Sequence, residues 1–336
     1  MPTLRETSRL EGPRAQQIFG WLLQYSPFMA ALEARSAFRL GATSFDTYPS
    51  DSTGAVQTRA LGDGYTQNGE LPPARQGQSL GFHGDSVTVD RSHVVDDELG
   101  LRPIGSWLDR QLHIKVRLWA RGMETLVFKG SGVKDASGRE MLGLENILDG
   151  TTVAGFSQSF VIDATDALST NPDSLDLGDP AQQEAFIRMM EEILPEFMDP
   201  MIAANKQLGA TLGTIARKRQ QYERIQGAFD EMIEQTFDAQ LTRVANGAIT
   251  NNEPDNAGTP NTNTTSLYVM SAADGMYSIA TNSGLEVEDE IDEVLEDKRS
   301  GKVEFELRSE NVIEDRYAIR RIRNVKLPTG QGSYID

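Results

Sequence analysis

The sequence predicts an α+β fold in which long helices and short strands occupy different parts of the chain. An apolar stripe at three- and four-residue spacing predicts a long helix from about Ile104 to Met123. From Ser266 onward the chain is rich in β-prone runs, among them KVEFELRS and DRYAIRRIRNVKL. Between Thr43 and Asp96 the helical spacing disappears, and a glycine-rich stretch lies between the β-prone runs AVQTRAL and SVTVD.

Length, charge and cysteine content exclude several classes of protein. The 336 residues allow one large domain or two smaller ones, at about 150 residues per domain. The chain carries 32 basic and 50 acidic residues, which disfavours an autonomous nucleic-acid binder because phosphate contacts require a basic surface. The absence of cysteine excludes disulfides, a thiolate nucleophile and cysteine zinc sites. Without a long apolar run or a secretory leader, we expect no membrane span and residence in a reducing cytoplasm.

The N-terminal region is expected to form two short helices. Pro13 suits a first helical position, and Ile18, Trp21 and Tyr25 follow it at helical spacing. Ser26, which is followed by a proline, predicts the N-cap of a second helix in FMAALEARSAF.

The stretch from Thr43 to Asp96 predicts a long hairpin arm that leaves the body of the protein. A loop of this length is uncommon inside a compact domain, and its flanking β-prone runs favour a hairpin. The glycine-rich piece from Leu61 to Asp85 has too few apolar side chains to form a core of its own, and they are Leu61, Tyr65, Leu71, Leu80 and Phe82. We therefore expect them, together with Arg75, to contact another subunit.

Two helical patterns follow the long helix. TLVFKGSG first predicts a strand ending in a turn. Asp179 and Pro180 then predict the start of a helix that Pro200 stops. Further helical spacing covers about Ile202 to Leu241, and an asparagine- and threonine-rich surface loop is expected after it.

The C-terminal region begins with a predicted β-hairpin. SLYVMSAADGMYSIA contains two β-prone runs that flank Asp274 and Gly275. The acidic stretch from Glu286 to Asp297 lacks the central glycine of a calcium loop, and we expect it to be a solvated face.

No catalytic or cofactor motif is present in the sequence. It contains no phosphate-binding loop, zinc-protease motif or nucleophile elbow, so we expect no catalytic residue, cofactor or metal. Only His83, His93 and His113 offer imidazole bases, and His113 is expected at the boundary of the long helix's apolar stripe. His83 is expected to be solvated, with pH sensing at an interface as the alternative.

Two basic clusters remain to be explained. The first comprises Arg217, Lys218, Arg219 and Arg224, for which pairing with Glu223 and other acids is favoured over phosphate binding. The second follows the acidic block and comprises Arg316, Arg320, Arg321 and Arg323. Such segregated charges are suited to join across a subunit boundary, with intramolecular pairing as the alternative.

SLYVMSAADGMYSIATNSG followed by VEFELRSENVIEDRYAIRRIRNV resembles the closing segment of tailed-phage major capsid proteins, and LVFKGSG adds to the likeness. The order of parts also resembles the Hong Kong 97-type capsid fold. The resemblance implies an N-terminal arm over residues 1–42, an extended loop over 43–97 and a peripheral domain over 98–151 that contains the long spine helix. It further implies an axial domain over 152–265 and the second part of the peripheral domain over 266–336.

The resemblance implies a function as well as a fold. The expected protein is a non-catalytic major capsid protein that self-assembles into hexamers and pentamers of an icosahedral virion shell around double-stranded DNA. Its implied partners are a scaffolding protein, a portal and a decoration or cement protein, with assembly in the host cytoplasm. Shells of the founding member are crosslinked through a lysine of the extended loop, but residues 43–97 contain no lysine, so no isopeptide crosslink is expected here.

Three alternatives stay open at this stage. An encapsulin-like nanocompartment would use the same fold to hold an enzyme cargo. A soluble hydrolase would need a site of unfamiliar type, because the histidines are few and no catalytic motif is present. A tail or portal-associated component is disfavoured, since tube proteins are shorter and more uniformly β.

Overall fold

The computed structural model describes most of the chain, with gaps. The described residues are 12–41, 44–47, 74–77, 80–90, 104–135, 138–148, 160–168, 172–226, 232–245, 247–254, 263–273, 275–290, 300–315 and 317–328. All structural statements below concern these residues. The predicted contacts Leu61, Tyr65, Leu71 and Arg316 lie outside them.

Helices and strands alternate irregularly along the described chain. The α-helices are α1 Pro13–Tyr25, α2 Pro27–Ala34, α3 Ile104–Lys129, α4 Leu144–Leu148, α5 Pro180–Ile193 and α6 Lys206–Lys218. The strands before α5 are β1 Phe38–Leu40, β2 Ser44–Thr47, β3 Ala74–Gly77, β4 Gly81–Asp90, β5 Lys134–Asp135, β6 Gly138–Arg139, β7 Val161–Asp163 and β8 Leu175–Asp176. The strands after α5 are β9 Met201–Asn205, β10 Tyr222–Gln226, β11 Met232–Thr236, β12 Ala239–Val244, β13 Thr264–Met270, β14 Tyr277–Asp289, β15 Ser300–Ile313 and β16 Ile319–Lys326. The mixture confirms the predicted α+β class.

The strands form two principal sheets. The larger has the order β10-β11-β12-β9-β13-β16-β7, and β8 also pairs with β16. The smaller has four strands in the order β1-β14-β15-β4. Two-stranded ladders of β2 with β3 and of β5 with β6 complete the described β-structure.

Helix starts follow local sequence signals. The Ser26 side chain accepts a hydrogen bond from the Met29 amide and caps α2, as the Ser-Pro pair predicted. Asp179 accepts from the Ala181 amide at the start of α5, again as predicted. Asn205 accepts from the Leu208 amide and caps α6, so strand β9 passes directly into a helix.

Two apolar clusters make up the core. The first lies between α3, the N-terminal helices and the inner face of the four-stranded sheet. The second lies between α5, α6 and the larger sheet. In β13, Tyr268 and Met270 belong to the first cluster, whereas Leu267 and Val269 belong to the second. The larger sheet is therefore covered on both of its faces.

The long helix continues beyond its predicted end. Residues Thr125–Lys129 are helical, so the strand predicted for TLVFKGSG is wrong. The helix stops at Gly130, where a Cβ atom would lie 2.0 Å from the Met141 carbonyl oxygen. Only glycine permits the backbone of residue 141 to cross so closely, and this approach sets the helix end.

The helical pattern predicted over Ile202 to Leu241 is also wrong beyond one segment. Among the described residues of this range only α6 is helical, and four strands, β9 to β12, occupy much of the rest. Strand β9 is buried along its whole length. A continuous apolar run buried on both faces carries no alternation, so its spacing does not distinguish a strand from a helix.

The hairpin predicted at Asp274 and Gly275 has the right strands but the wrong pairing. Strand β13 pairs with β9 and β16, whereas β14 pairs with β1 and β15. Near the predicted turn, the chain forms one parallel β-bridge, between Ala272 and Tyr277. The chain thus crosses from one sheet to the other at this point.

Candidate functional site

The predicted arm begins and ends at opposite edges of the four-stranded sheet. Strand β2 follows edge strand β1, and β3 precedes edge strand β4. The two arm strands pair antiparallel, with Ser44 opposite Gly77 and Thr47 opposite Ala74. Arg75 lies in this ladder opposite Asp46, and SVTVD forms the second half of β4, as its β-prone pattern predicted. The two ends of the predicted arm therefore form a paired stem.

One face of the four-stranded sheet packs on the core and the other carries mainly charged side chains. Strands β4 and β15 alternate between buried and accessible residues along most of their paired length. We call the accessible side the outer face, and its residues include Phe82, Glu286, Glu288, Lys302, Glu304, Glu306 and Arg308. Glu286 lies opposite Glu306, and Glu288 lies opposite Glu304. Like charges opposed in this way destabilise a strand pair unless other groups compensate.

Two cations compensate part of this repulsion. The Arg308 guanidinium lies 3.0 Å from Glu306 and 3.2 Å from Glu286. Lys302 forms an ion pair with Glu304. Arg308 also lies over the Phe82 ring, with 4.8 Å between its Cζ and the ring centroid. The outer face thus combines acidic rows with one exposed aromatic ring.

Two predicted contact residues lie on or next to β4. Phe82 is 56% exposed, a large fraction for a phenylalanine, and it points to the outer face. Leu80 is half-buried and packs against Ala280 and Val312. Phe82 is therefore accessible to a partner, whereas much of Leu80 is already covered by its own chain.

His83 is buried, and the expectation of a solvated imidazole is wrong. Its side chain lies on the inner face of the four-stranded sheet, because residues 81, 83, 87 and 89 of β4 are the buried ones in the alternating pattern. Burial lowers the pKa of the His83 imidazole, and the nearby Glu140 carboxylate opposes that change. The ring is therefore held neutral more strongly than a solvated histidine would be.

The C-terminal arginines make contacts within the chain. Arg321 lies 2.9 Å from Glu145 and 3.2 Å from Glu253. Arg323 lies 3.4 Å from Asp163, with half of its side chain exposed. Arg320 is buried beside the Phe160 ring, 5.1 Å from its centroid. The intramolecular pairing that the sequence left open accounts for Arg321 and Arg323, and their part in subunit contacts stays a prediction.

A buried carboxylate of α3 contacts both the N-terminal helices and the larger sheet. Glu124 of α3 is 2% exposed and accepts hydrogen bonds from the Ser26 hydroxyl at 2.6 Å and the Ala245 amide at 2.8 Å. Ser26 caps α2, and Ala245 follows β12 of the larger sheet. Burial raises the pKa of Glu124, although both hydrogen bonds favour its charged form.

The sequence patterns do not predict the two buried acids, Glu124 and Glu253. Glu253 lies among polar residues in the sequence, but it is only 6% exposed and is held by Ser266 and Arg321. Burial raises the pKa of Glu253, and Arg321 opposes that change. A partial signal for Glu124 existed, since position 124 falls on the apolar stripe next to Met123.

The described residues show little evidence of a catalytic site. A groove of about 500 Å³ lies between α5 and residues Ile162 to Ala167, with Asp166, Glu184 and Arg188 among its lining residues but no histidine. The described part of the chain contains no group of three or more histidine or acidic residues arranged to hold a metal ion. None of its helices is long and apolar enough to cross a membrane.

Comparison with known proteins gives matches in structure. No family model and no curated protein matches the sequence. The capsid subunit of cyanophage A-1(L) aligns with 90% of this chain and 93% of that chain, at 14% sequence identity and a TM-score of 0.51. The SrpI encapsulin of Synechococcus elongatus aligns with 94% of this chain and 91% of that chain, at 13% identity and a TM-score of 0.49. The procapsid protein of satellite phage P4 aligns with 93% and 99%, at 12% identity and a TM-score of 0.48.

The chain therefore shares its fold with a phage capsid subunit. This match confirms the likeness to phage capsid proteins that the C-terminal motifs indicated, and the Hong Kong 97-type assignment of parts stays a prediction.

Proposed function

We propose that this chain is the major capsid protein of a tailed phage and that it assembles into hexamers and pentamers of an icosahedral shell around double-stranded DNA. The observation that carries the proposal is the paired stem of β2 and β3. It connects opposite edges of a sheet in a chain with the fold of a phage capsid protein. An arm held in this way can reach a neighbouring subunit while the body stays folded.

The proposal assigns Hong Kong 97-type parts to the chain. In it, α3 is the spine helix, residues 43–97 form the extended loop, residues 1–42 form the N-terminal arm, and residues 152–265 form the axial domain. The peripheral domain combines residues 98–151 with 266–336. The proposed bound after residue 265 falls within β13 of the larger sheet, and the chain crosses to the smaller sheet a few residues later, near Ala272.

Subunit contacts in this proposal are non-covalent. The arm contributes Leu61, Tyr65, Leu71, Arg75, Leu80 and Phe82, and the C-terminal segment contributes Arg316, Arg320, Arg321 and Arg323. Of the described members, Phe82 and Arg323 expose half or more of the residue or its side chain. Each contact is weak, but many copies in a closed shell act together. A scaffolding protein, a portal and a decoration protein are the further partners of the proposed shell.

The stem offers a precise test of the arm. Replacing residues 48–73 by Asn-Gly joins Thr47 to Ala74 through a two-residue hairpin and keeps every pair of the β2–β3 ladder. We expect the wild-type chain to form shells or capsomers of megadalton mass by sedimentation and negative-stain microscopy. We expect the shortened chain to fold, with unchanged circular dichroism in the near ultraviolet, and to stay unassembled.

Each result has a defined meaning. Normal assembly of the shortened chain would contradict the proposed role of the arm. A wild-type chain that stays monomeric under all assembly conditions would contradict the capsid function itself. The contents of native particles separate a virion from a nanocompartment, because nuclease-protected double-stranded DNA supports the former and an enclosed enzyme supports the latter.

A further inference from the structure

The exposed side of α3 carries an apolar and basic surface that the shell proposal does not use. The opposite side of this helix is buried, with Leu108, Leu112 and Val116 at most 2% exposed. On the outward side, Ile114 is 45% exposed and Leu118 is 58% exposed, one helical turn apart. We call the surface formed by Arg110, Ile114, Arg117, Leu118 and Arg121 the α3 face.

The charge of the α3 face is opposite to that of the chain. Arg110 and Arg117 are exposed and Arg121 is partly exposed, in a protein with a net charge of -18. Arg117 also lies 5.9 Å from the Tyr25 ring centroid, which fixes one border of the surface. Two large aliphatic side chains among arginines suit an acidic partner that carries apolar groups at helical spacing.

The chain itself contains a segment with this chemistry. The turn between β14 and β15 includes Ile291, Val294 and Leu295, a spacing that a helix would place on one side. Its acidic residues are Glu290, Asp292, Glu293, Glu296 and Asp297. It follows the paired strand β14, and the Glu290 amide donates to the Lys302 carbonyl of β15 at 3.0 Å. We call residues 290–299 the acidic turn.

The α3 face lies on the side of the helix opposite the sheet that contains β14 and β15. The inner side of α3 packs on the sheet that carries the turn, as shown by Trp119 and Phe305, whose ring centroids are 5.2 Å apart. Lys115 likewise reaches Asp85 of β4 at 3.0 Å. The α3 face therefore points away from that sheet, and the body of the helix, about 10 Å across, stands between them.

We propose that the acidic turn of a second copy docks on the α3 face, with its Ile291, Val294 and Leu295 against Ile114 and Leu118 and its carboxylates against the arginines. The inference rests on the proposed self-assembly and adds a specific contact to it. The contact is heterologous, because one surface of each copy meets a different surface of the next, as a closed ring of subunits requires.

The absence of native cysteine makes a crosslinking test clean. Leu118→Cys and Val294→Cys are introduced on separate chains, which are mixed, assembled and oxidised. We expect a covalent heterodimer on a non-reducing gel, with far less product from either variant alone. In a third chain that carries both substitutions, we expect covalent multimers. An intrachain disulfide in that chain, or no disulfide in fully assembled particles, would overturn the proposal.

Charge reversal tests the same contact by a second measurement. Arg110→Glu with Arg117→Glu should raise the protein concentration needed for assembly about tenfold. Adding Glu293→Lys and Asp297→Lys to that chain should restore assembly. Arg188→Glu with Lys218→Glu, which reverses exposed charges on other helices, should leave assembly unchanged. Thermal denaturation of each variant checks that the body is folded.

Two further outcomes separate the possible failures. If the Arg110 and Arg117 variant assembles normally but retains less DNA, the α3 face binds nucleic acid and the proposed contact is wrong. If the wild-type chain forms no particles at all, the capsid function has failed and the contact falls with it. If the wild-type chain forms particles but the mixed Leu118→Cys and Val294→Cys chains form no disulfide in theirs, the contact alone is refuted.

Discussion

The two sheets of this protein bury their strands differently. In the larger sheet, β9 and β13 are buried along their full length, with α3 on one side and α5 and α6 on the other. In the smaller sheet, β4 and most of β15 alternate, and their outward side chains form the acidic outer face. The larger sheet is thus covered on both faces by its own chain, whereas the outer face of the smaller sheet is accessible in the described part of the chain. An accessible face of this kind suits the subunit contacts of the proposed function.

The comparison predicts the largest loss of stability for a charge in the central strand of the larger sheet. Val269 of β13 is fully buried, and Val269→Asp should lower the free energy of unfolding by more than about 4 kcal/mol. Val269→Thr keeps the shape and should cost about 1–2 kcal/mol. Thr88→Asp on the outer side of β4 should change stability by less than about 0.5 kcal/mol. Urea denaturation followed by circular dichroism measures all three, and equal losses at positions 269 and 88 would contradict the comparison.

The same difference explains which elements were predictable from sequence. KVEFELRS alternates because one side of β15 is accessible, and its strand was predicted correctly. The residues MIAAN of β9 show no alternation, so their pattern predicts a helix instead of the observed strand. The sequence near Asp274 indicated two strands but carried no information on their partners, because pairing with β15 and β16 depends on residues far along the chain. The contacts of Glu124 with Ser26 and Ala245 could not be predicted for the same reason, because both partners are far from Glu124 along the chain.

The next largest effect is expected at Glu124, which links α3 to the N-terminal helices and to the larger sheet. Glu124→Ala leaves the Ser26 hydroxyl and the Ala245 amide without their acceptor, at a cost of about 1–3 kcal/mol for each buried group. Glu124→Gln should cost far less, since its amide oxygen can accept from Ala245 while its amide nitrogen donates to Ser26. Equal losses for the two variants in urea denaturation would show that the carboxylate charge, and not the hydrogen bonds, holds these elements together.

Glu124 also predicts a pH dependence with a defined sign. Burial raises its pKa in the folded protein above the unfolded value, so the folded state holds the proton more tightly. The resulting stabilisation is complete below the unfolded pKa and is lost as pH rises through the folded pKa. Wild-type stability should therefore increase relative to Glu124→Gln as pH falls from neutral, and a constant difference would contradict a buried, titrating carboxylate.

His83 of the smaller sheet should respond to pH in the opposite direction. Burial lowers its pKa in the folded protein, so the unfolded chain takes up a proton first as pH falls below about 6.5. The contribution of neutral His83 is present above the unfolded pKa and is lost as pH falls through the folded pKa. His83→Gln should remove this loss, measured as the difference in unfolding free energy between pH 7 and pH 5. An unchanged pH profile would mean that His83 is solvated before unfolding.

The smallest effect is expected from the opposed glutamates of the outer face. Glu288→Lys replaces the like-charge pair with Glu304 by an attractive pair and should raise the free energy of unfolding by about 0.2–1 kcal/mol. High salt should raise wild-type stability by screening the repulsion and should lower that of the variant. Glu223→Lys is the matched control, because this exposed residue of edge strand β10 lies opposite the neutral Gln235 in the larger sheet. Both substitutions are compared by thermal denaturation at low and high salt. If they have the same effect, the stabilisation comes from the reduced net charge, and the opposed glutamates of the outer face do not repel each other measurably.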